Sequence, residues 1–291
     1  MGRFLAILAI AGGSLAIASP AAALDPAIYT DPPHDSLHPA RMEVLHVPSG
    51  GVAFNGLAYL ASGAGVHPTL VLMHGLPGNE KNLDLAQAVR RAGWNVITFN
   101  YRGSWGSPGK FSFAGDLDDA RALLKFLRTP ANAGRLGIDT SRIVLAGHSM
   151  GGWVTAMVAE QDPSIAGTII ICGANMGRPR NTHAETVAEM ADNMESLAGG
   201  TPQSMAAEVE QNRSAFDWTP ASSGLARHPL LVLTADDGLA AMDDALAQSV
   251  ASVPGARVTK IHAATDHGWS DARIRLEDDV IRWLRQLPGT A

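Results

Sequence analysis

An α/β fold is what this sequence predicts: a mostly parallel, doubly wound sheet carrying a small helical insertion. Continuous apolar runs such as Thr69–Met73 and Leu230–Thr234 have the length and composition of strands buried on both faces. Segments with apolar residues at helical spacing separate those runs. Alternation of the two types implies right-handed crossovers, with helices covering both faces of the sheet. One long stretch, Met176–Arg227, holds no strand candidate and interrupts the alternation.

The elements follow in chain order. Residues 1–23 read as a signal peptide. Arg3 supplies a positive start, Phe4–Ala18 an apolar core, and Ala21-Ala22-Ala23 small residues in an A-x-A arrangement, so cleavage is expected after Ala23. The apolar core is shorter than the ~20 residues a spanning helix needs, so no stable membrane anchor is expected after cleavage. The mature domain, residues 24–291, is expected to be secreted or periplasmic. Leu24–His38 is rich in Pro, Asp and Ala and reads as an irregular lead-in. Glu43–Val47 and Val52–Ala61 read as paired strands across the turn Pro48-Ser49-Gly50-Gly51, an antiparallel edge for the sheet.

Strands are then expected over Thr69–Met73, Trp94–Phe99, Arg142–Ala146, Gly167–Ile171, Leu230–Thr234 and Ala256–Ile261. Helices are expected over Asn82–Ala92, Leu117–Leu127, Asp243–Val253 and Asp271–Leu287. In the second, Leu117, Ala120, Leu124 and Leu127 share a face; in the last, Leu276, Val280, Leu284 and Leu287 do. The stretch at about 176–227, broken at Gly199-Gly200, reads as two or three short helices. It stands where a lid over an active site could be inserted, an outer helical layer being the other reading.

Composition narrows the function. With 291 residues, 46% hydrophobic and 17% charged, the chain has room for a sizeable core. A net charge of -6 gives no support to nucleic-acid binding. Cys172 is the single cysteine, so no intramolecular disulfide forms, and a domain of this size is stabilised by its core instead. His34 and His38 have a metal-pair spacing for a helix, but Pro32, Pro33 and Pro39 disfavour that helix. No metal or cofactor is expected.

The pentapeptide Gly147-His148-Ser149-Met150-Gly151 lies between the strand Arg142–Ala146 and the helical run Gly152–Ala159. Strand, tight turn and helix are the setting of a nucleophile elbow, and the flanking glycines leave room for its strained turn. Hydrolysis by Ser149 would need a base, a carboxylate to orient it, and N–H donors for the oxyanion. His267, in Thr265-Asp266-His267-Gly268-Trp269 after the last strand, is the candidate base. The other histidines fall in the lead-in, in or beside strands, in the insertion, or in other motifs.

For the acid, Leu230–Thr234 runs into Ala235-Asp236-Asp237-Gly238; Asp237 is the first choice and Asp236 the reserve, although Asp-Gly is also a plain turn signal. Asp266 points its side chain away from that of its neighbour His267. The preceding strand ends in Cys172-Gly173-Ala174-Asn175, with no acid. His74-Gly75-Leu76-Pro77-Gly78 follows Thr69–Met73, and a turn there can aim the Leu76 backbone N–H at the site. The Met150 N–H, at the start of the elbow helix, is the second donor. His74 is left to brace the loop.

Over about Glu43–Leu287 these H-G-x-P-G, G-H-S-M-G, D-G and D-H-G elements resemble the α/β-hydrolase superfamily, in its order of oxyanion loop, nucleophile, acid and base. Asn100-Tyr101-Arg102-Gly103-Ser104-Trp105-Gly106-Ser107-Pro108 also looks like a loop of its secreted and peptidase-like members. The resemblance implies the α/β-hydrolase fold, a Ser149–Asp237–His267 triad and an insertion serving as a small cap. The function expected is a serine hydrolase that cleaves carboxylic esters through an acyl-enzyme on Ser149, without cofactor, on a small-molecule ester or short peptide.

A peptidase and an acyltransferase share this machinery. Glu185, Glu189 and Glu195 could anchor the free N-terminus that an aminopeptidase selects, an exposed acidic helix face being the plainer reading. A non-catalytic binding protein that retains the fold is the remaining class. Met176, Met190, Met194 and Met205 suggest either an adaptable pocket lining or ordinary core. Expressed with its leader, the protein is expected to yield a chain beginning at Leu24, read by N-terminal sequencing of the exported product. A retained Met1 would overturn the cleavage.

Overall fold

The computed structural model describes residues 23–178 and 181–289, so the expected signal peptide lies outside it except for Ala23. β1 (Arg41–Ser49), β2 (Val52–Leu60), β3 (His67–Met73), β4 (Asn95–Phe99), β5 (Ile138–His148), β6 (Gly167–Ile171), β7 (Leu230–Ala235) and β8 (Val258–Ala263) form one sheet. Its order is β1-β2-β4-β3-β5-β6-β7-β8. The β1/β2 and β2/β4 pairs are antiparallel and every later pair is parallel, as the hairpin edge and the apolar runs predict.

The unbroken apolar runs have a direct cause. Along β5, Ile143 and Leu145 face one core while Val144 and Ala146 face the other. β7 repeats this with Leu230 and Val232 against Leu231 and Leu233. A strand covered on both sides has no solvent face on which to place polar residues.

The helices are α1 (Leu83–Arg91), α2 (Phe113–Arg128), α3 (Pro130–Leu136), α4 (Met150–Ala159), α5 (His183–Asp192), α6 (Pro202–Gln211), α7 (Arg213–Phe216), α8 (Ser222–Leu225), α9 (Ala240–Ala251) and α10 (Arg273–Arg285). Residues of α1 and α10 fill one core; those of α2, α4, α9 and the α5–α8 stretch fill the other. Every residue of α4 is buried, which explains why it shows no polar face in sequence.

Boundaries differ from expectation where capping or tertiary contact decides them. α2 starts four residues before its apolar periodicity because the Ser112 side chain accepts the Gly115 N–H at 3.1 Å. α3 was not expected, although Pro130 opens it and Gly137 closes it at φ 62. β8 sits two residues later than its apolar run, paired to β7 through Ala235↔Ala263. The lead-in is less irregular than its composition predicts. Pro26–Ile28 forms a 3-10 turn, the Arg91 guanidinium donates to the Ala27 and Ile28 carbonyls, and Asp25 pairs with Arg285.

Strand register brings the site together. Met73 lies opposite Gly147, His148 opposite Ile171, Ile171 opposite Leu233, and Ala235 opposite Ala263. The loops after β3, β5, β6, β7 and β8 therefore leave the sheet side by side at its carboxyl edge, where α/β folds place ligands.

The α5–α8 stretch is anchored to the body beside that edge. The Trp105 N–H donates to Ser196 O (2.9 Å), Ala198 N–H to Gly103 O (2.8 Å), and Phe111 N–H to Ala198 O (2.9 Å). Glu208 of α6 accepts the Phe113 and Ala114 N–H groups at 3.2 and 2.9 Å, capping α2 from another element. Trp153 of α4 donates its indole N–H to Phe216 O at 2.7 Å. Among the described residues no helix is long and apolar enough to cross a membrane. Glu208→Ala strands two N–H groups at the positive end of α2 and is expected to lower the unfolding free energy by ~1–2 kcal/mol. Urea denaturation measures this; an unchanged midpoint would show the cap to be idle.

Candidate active site

β5 ends at His148 and α4 begins at Met150, leaving Ser149 alone at the turn with φ 58 and ψ -123. Such a backbone is strained for any residue but glycine, and it holds a side chain clear of the sheet edge. Close packing enforces it. A Cβ on Gly147 would stand 2.0 Å from Gly151 O, and one on Gly151 would stand 2.3 Å from Met73 O. Side chains at either position would push β5, α4 and β3 apart.

The loop after β3 passes directly beside the serine. A Cβ on Gly75 would lie 2.8 Å from Ser149 Cβ and 3.3 Å from its Oγ. Leu76 follows immediately, and Met150 supplies the first N–H of α4, which has no helical carbonyl to serve. His74 braces this loop. It is buried, its Nδ1 donates to Gly75 O at 2.7 Å, and Tyr101 packs edge-on at 4.8 Å. Burial holds the imidazole neutral, with its pKa lowered to about 4. Trp105 ties the loop after β4 to the same segment, its indole N–H donating to Pro77 O at 2.5 Å.

Asp237 and His267 meet across the loops after β7 and β8. Asp237 Oδ2 is 2.7 Å from His267 Nδ1, and Asp237 Oδ1 accepts the Leu239 N–H at 2.8 Å. The Asp237 side chain is 2% exposed and that of His267 is 39% exposed. Burial alone would raise the carboxyl pKa, but the hydrogen bonds from His267, the Leu239 N–H and the Cys172 thiol outweigh it and bring it down to about 2. Asp236 turns outward, 65% exposed, with His262 Nε2 3.2 Å from its carboxylate. Asp266 accepts from the Ser270 N–H at 2.8 Å within its own turn.

Two participants were not foreseen from sequence. His148 is buried beside the serine; its Nε2 lies 2.8 Å from His267 O and its ring 4.6 Å from the His267 ring. Cys172 follows β6 at φ 46, fully buried, and its Sγ accepts the Trp269 indole N–H at 3.3 Å. Burial raises the thiol pKa. The variable position before a nucleophilic serine carries no pairing signal in sequence, and neither does a lone cysteine. Cys172, Asp237 and His267 offer donor atoms within 4.8 Å of one another, close enough to hold a metal ion. Two of the three are already joined by the Asp237–His267 hydrogen bond. His34 and His38 do not lie on a helix.

The surroundings bear on substrate. Met176 and Met190 line a cavity of about 170 Å³ with Val209, Leu239 and Met242, between the α5–α6 pair and α9. Met205 is core, and Met194 packs against it. Of the acids, Glu185 accepts from Thr182 in a capping box and Glu189 lines the methionine cavity. Glu195, with Asp192, lines a cleft of about 660 Å³ bordered by Pro77 and Trp105.

Comparison with known proteins agrees with this architecture. A family model described as the alpha/beta hydrolase family matches residues 70–282. The uncharacterized protein Rv2307c of Mycobacterium tuberculosis is 31% identical over 136 residues, 46% of this chain and 47% of that one, so the matched stretch spans about half of that relative. The thermostable carboxylesterase EstE1, cloned from a metagenomic library, superposes with a TM-score of 0.63 at 21% identity, covering 85% of this chain and 90% of its own. The acylaminoacyl peptidase of Pyrococcus horikoshii does so with a TM-score of 0.62 at 16% identity, covering 86% of this chain and 42% of its own. At these identities the likeness of the solved structures concerns the fold.

The Asp237 environment sets a pH dependence. Its folded pKa of about 2 lies below the ordinary 3.8, so the stabilisation is complete above that ordinary value and is lost as pH falls through the folded one. The contribution is on the order of 2 kcal/mol. Asp237→Asn is expected to flatten the acid side of the stability curve between about pH 4 and pH 2, measured by denaturation at each pH. Parallel wild-type and Asn curves across that window would contradict it.

Proposed function

The chain belongs to the alpha/beta hydrolase family, and on that premise we propose that it is a serine hydrolase cleaving carboxylic esters through an acyl-enzyme on Ser149. The observation that carries the proposal is the 2.7 Å contact between Asp237 Oδ2 and His267 Nδ1, on the loops next to a serine held at φ 58. In this reading Ser149 Oγ attacks the acyl carbon while His267 Nε2 takes its proton. Asp237 holds the Nδ1–H and stabilises the imidazolium. The tetrahedral oxyanion takes hydrogen bonds from the Leu76 and Met150 N–H groups, each such donor being worth ~3 kcal/mol in the transition state. Collapse expels the alcohol, protonated by His267, and water then releases the acid by the same route reversed.

Export after cleavage at Ala23, and a capping role for residues 176–227, belong to the same proposal. The methionine-lined cavity supports an apolar acyl group of modest size. A peptidase is the second reading, favoured by Asp192 and Glu195 in the cleft beside Pro77, which could receive a cationic amino group.

Fluorophosphonate labelling of the purified mature protein tests the central claim. Wild type is expected to label, Ser149→Ala to abolish labelling, and kcat on p-nitrophenyl esters to fall by at least ~10⁴-fold in that variant. Folded wild type that does not label would end the proposal. Faster turnover of aminoacyl p-nitroanilides than of esters would select the peptidase reading.

A further inference from the structure

We infer that His148 is a positioning residue for the base, its Nε2–H held on the main-chain carbonyl of His267 so that the nucleophile's strand fixes the base directly. The inference rests on the serine-hydrolase reading, since it assigns His148 a task within that site. His148 Nε2 is 2.8 Å from His267 O. A carbonyl oxygen only accepts, so Nε2 must carry the proton and Nδ1 the lone pair. The ring is 5% exposed and packs 4.6 Å from the His267 ring, tilted by 44°. Burial, then the neighbouring His267, lower the His148 pKa to about 4, so it adds no second charge beside the base.

The sheet alone positions the two reacting residues poorly. Ser149 follows β5 and His267 follows β8, with β6 and β7 between them. Three strand spacings amount to roughly 14 Å, across which small changes of twist accumulate. Other bonds hold the base loop locally, to β6 or to the loop after β7: Arg273 to Gly268 O (2.8 Å), the Trp269 indole to Cys172 Sγ (3.3 Å), the Asp236 N–H to Thr265 O (3.0 Å) and His267 Nδ1 to Asp237 Oδ2 (2.7 Å). The His148 bond instead runs from the residue adjoining the nucleophile to the base's own peptide. Misplacement of a catalytic group by about 1 Å can cost ~10²-fold in rate, so a bond on that short path has leverage on kcat rather than on substrate affinity.

His148→Phe retains a ring and loses the donor; His148→Gln restores an N–H near the position of Nε2. His148→Phe is expected to lower kcat by about tenfold or more with KM within about twofold, and His148→Gln to recover most of the loss. Both are compared at matched thermal stability. Wild-type kcat in His148→Phe, or a Gln variant as slow as Phe, would overturn the inference. Nitrogen-15 NMR of the wild-type imidazoles supplies a readout that needs neither a folded variant nor activity: the Nε2–H tautomer is expected for His148, and an Nδ1–H tautomer would overturn the bond. Failure of wild type to label with fluorophosphonate, with the Nε2–H tautomer present, would instead count against the hydrolase reading.

Discussion

The conformation of Ser149 is the constraint on which the rest of the site depends. A non-glycine residue at φ 58 and ψ -123 costs on the order of 1–3 kcal/mol and persists only when its surroundings over-determine it. Here they do. The Ser149 N–H is bound to Ile171 O at 2.9 Å, and the Ser149 carbonyl accepts from Gly152 at 2.9 Å and Ala174 at 3.1 Å. The neighbouring strand β6, the loop that follows it and the helix behind the serine thus share its main-chain groups. The glycines at 75, 147 and 151 follow from this, since each faces atoms of another element too close for a Cβ.

From that fixed point the remaining geometry is a matter of register. Parallel strands whose ends lie level put the loop after β3, the elbow, and the acid and base loops on one edge. What distinguishes the candidate acid from its neighbour is burial. Asp237 is enclosed, with three donors on its carboxyl group, whereas Asp236 is left to solvent and a surface histidine. An enclosed carboxylate supplied with donors stays ionised and holds an imidazole in one orientation; an exposed one does neither as firmly.

The α5–α8 stretch is joined to the body by main-chain bonds from Trp105, Ala198 and Phe111 and by the Glu208 cap on α2. Trp105 meets both this stretch and Pro77, so the wall of the cleft and the loop beside the serine share one side chain. That arrangement links the shape of the cleft to the geometry of the proposed oxyanion donors.

Much of this was legible in the chain because its causes are local or periodic. Strands covered on both faces must be apolar throughout, as Arg142–Ala146 and Leu230–Thr234 are, and a strained turn at close quarters demands glycine, as around Ser149. Asp237 before Gly238 and His267 before Gly268 are strand-end residues by pattern alone. The helix start at Phe113, by contrast, rests on the Ser112 cap and that at Pro130 on a proline in the first turn, with little apolar periodicity to mark either. By itself, then, the sequence determined the α/β class, the order of its motifs along the chain and the candidates for nucleophile, acid and base. Only the tertiary structure decided which of two adjacent aspartates is enclosed beside His267, and that His148 and Cys172 stand against the same pair. Those contacts join residues distant in sequence, and no local propensity records the direction in which a side chain at a strand end will turn.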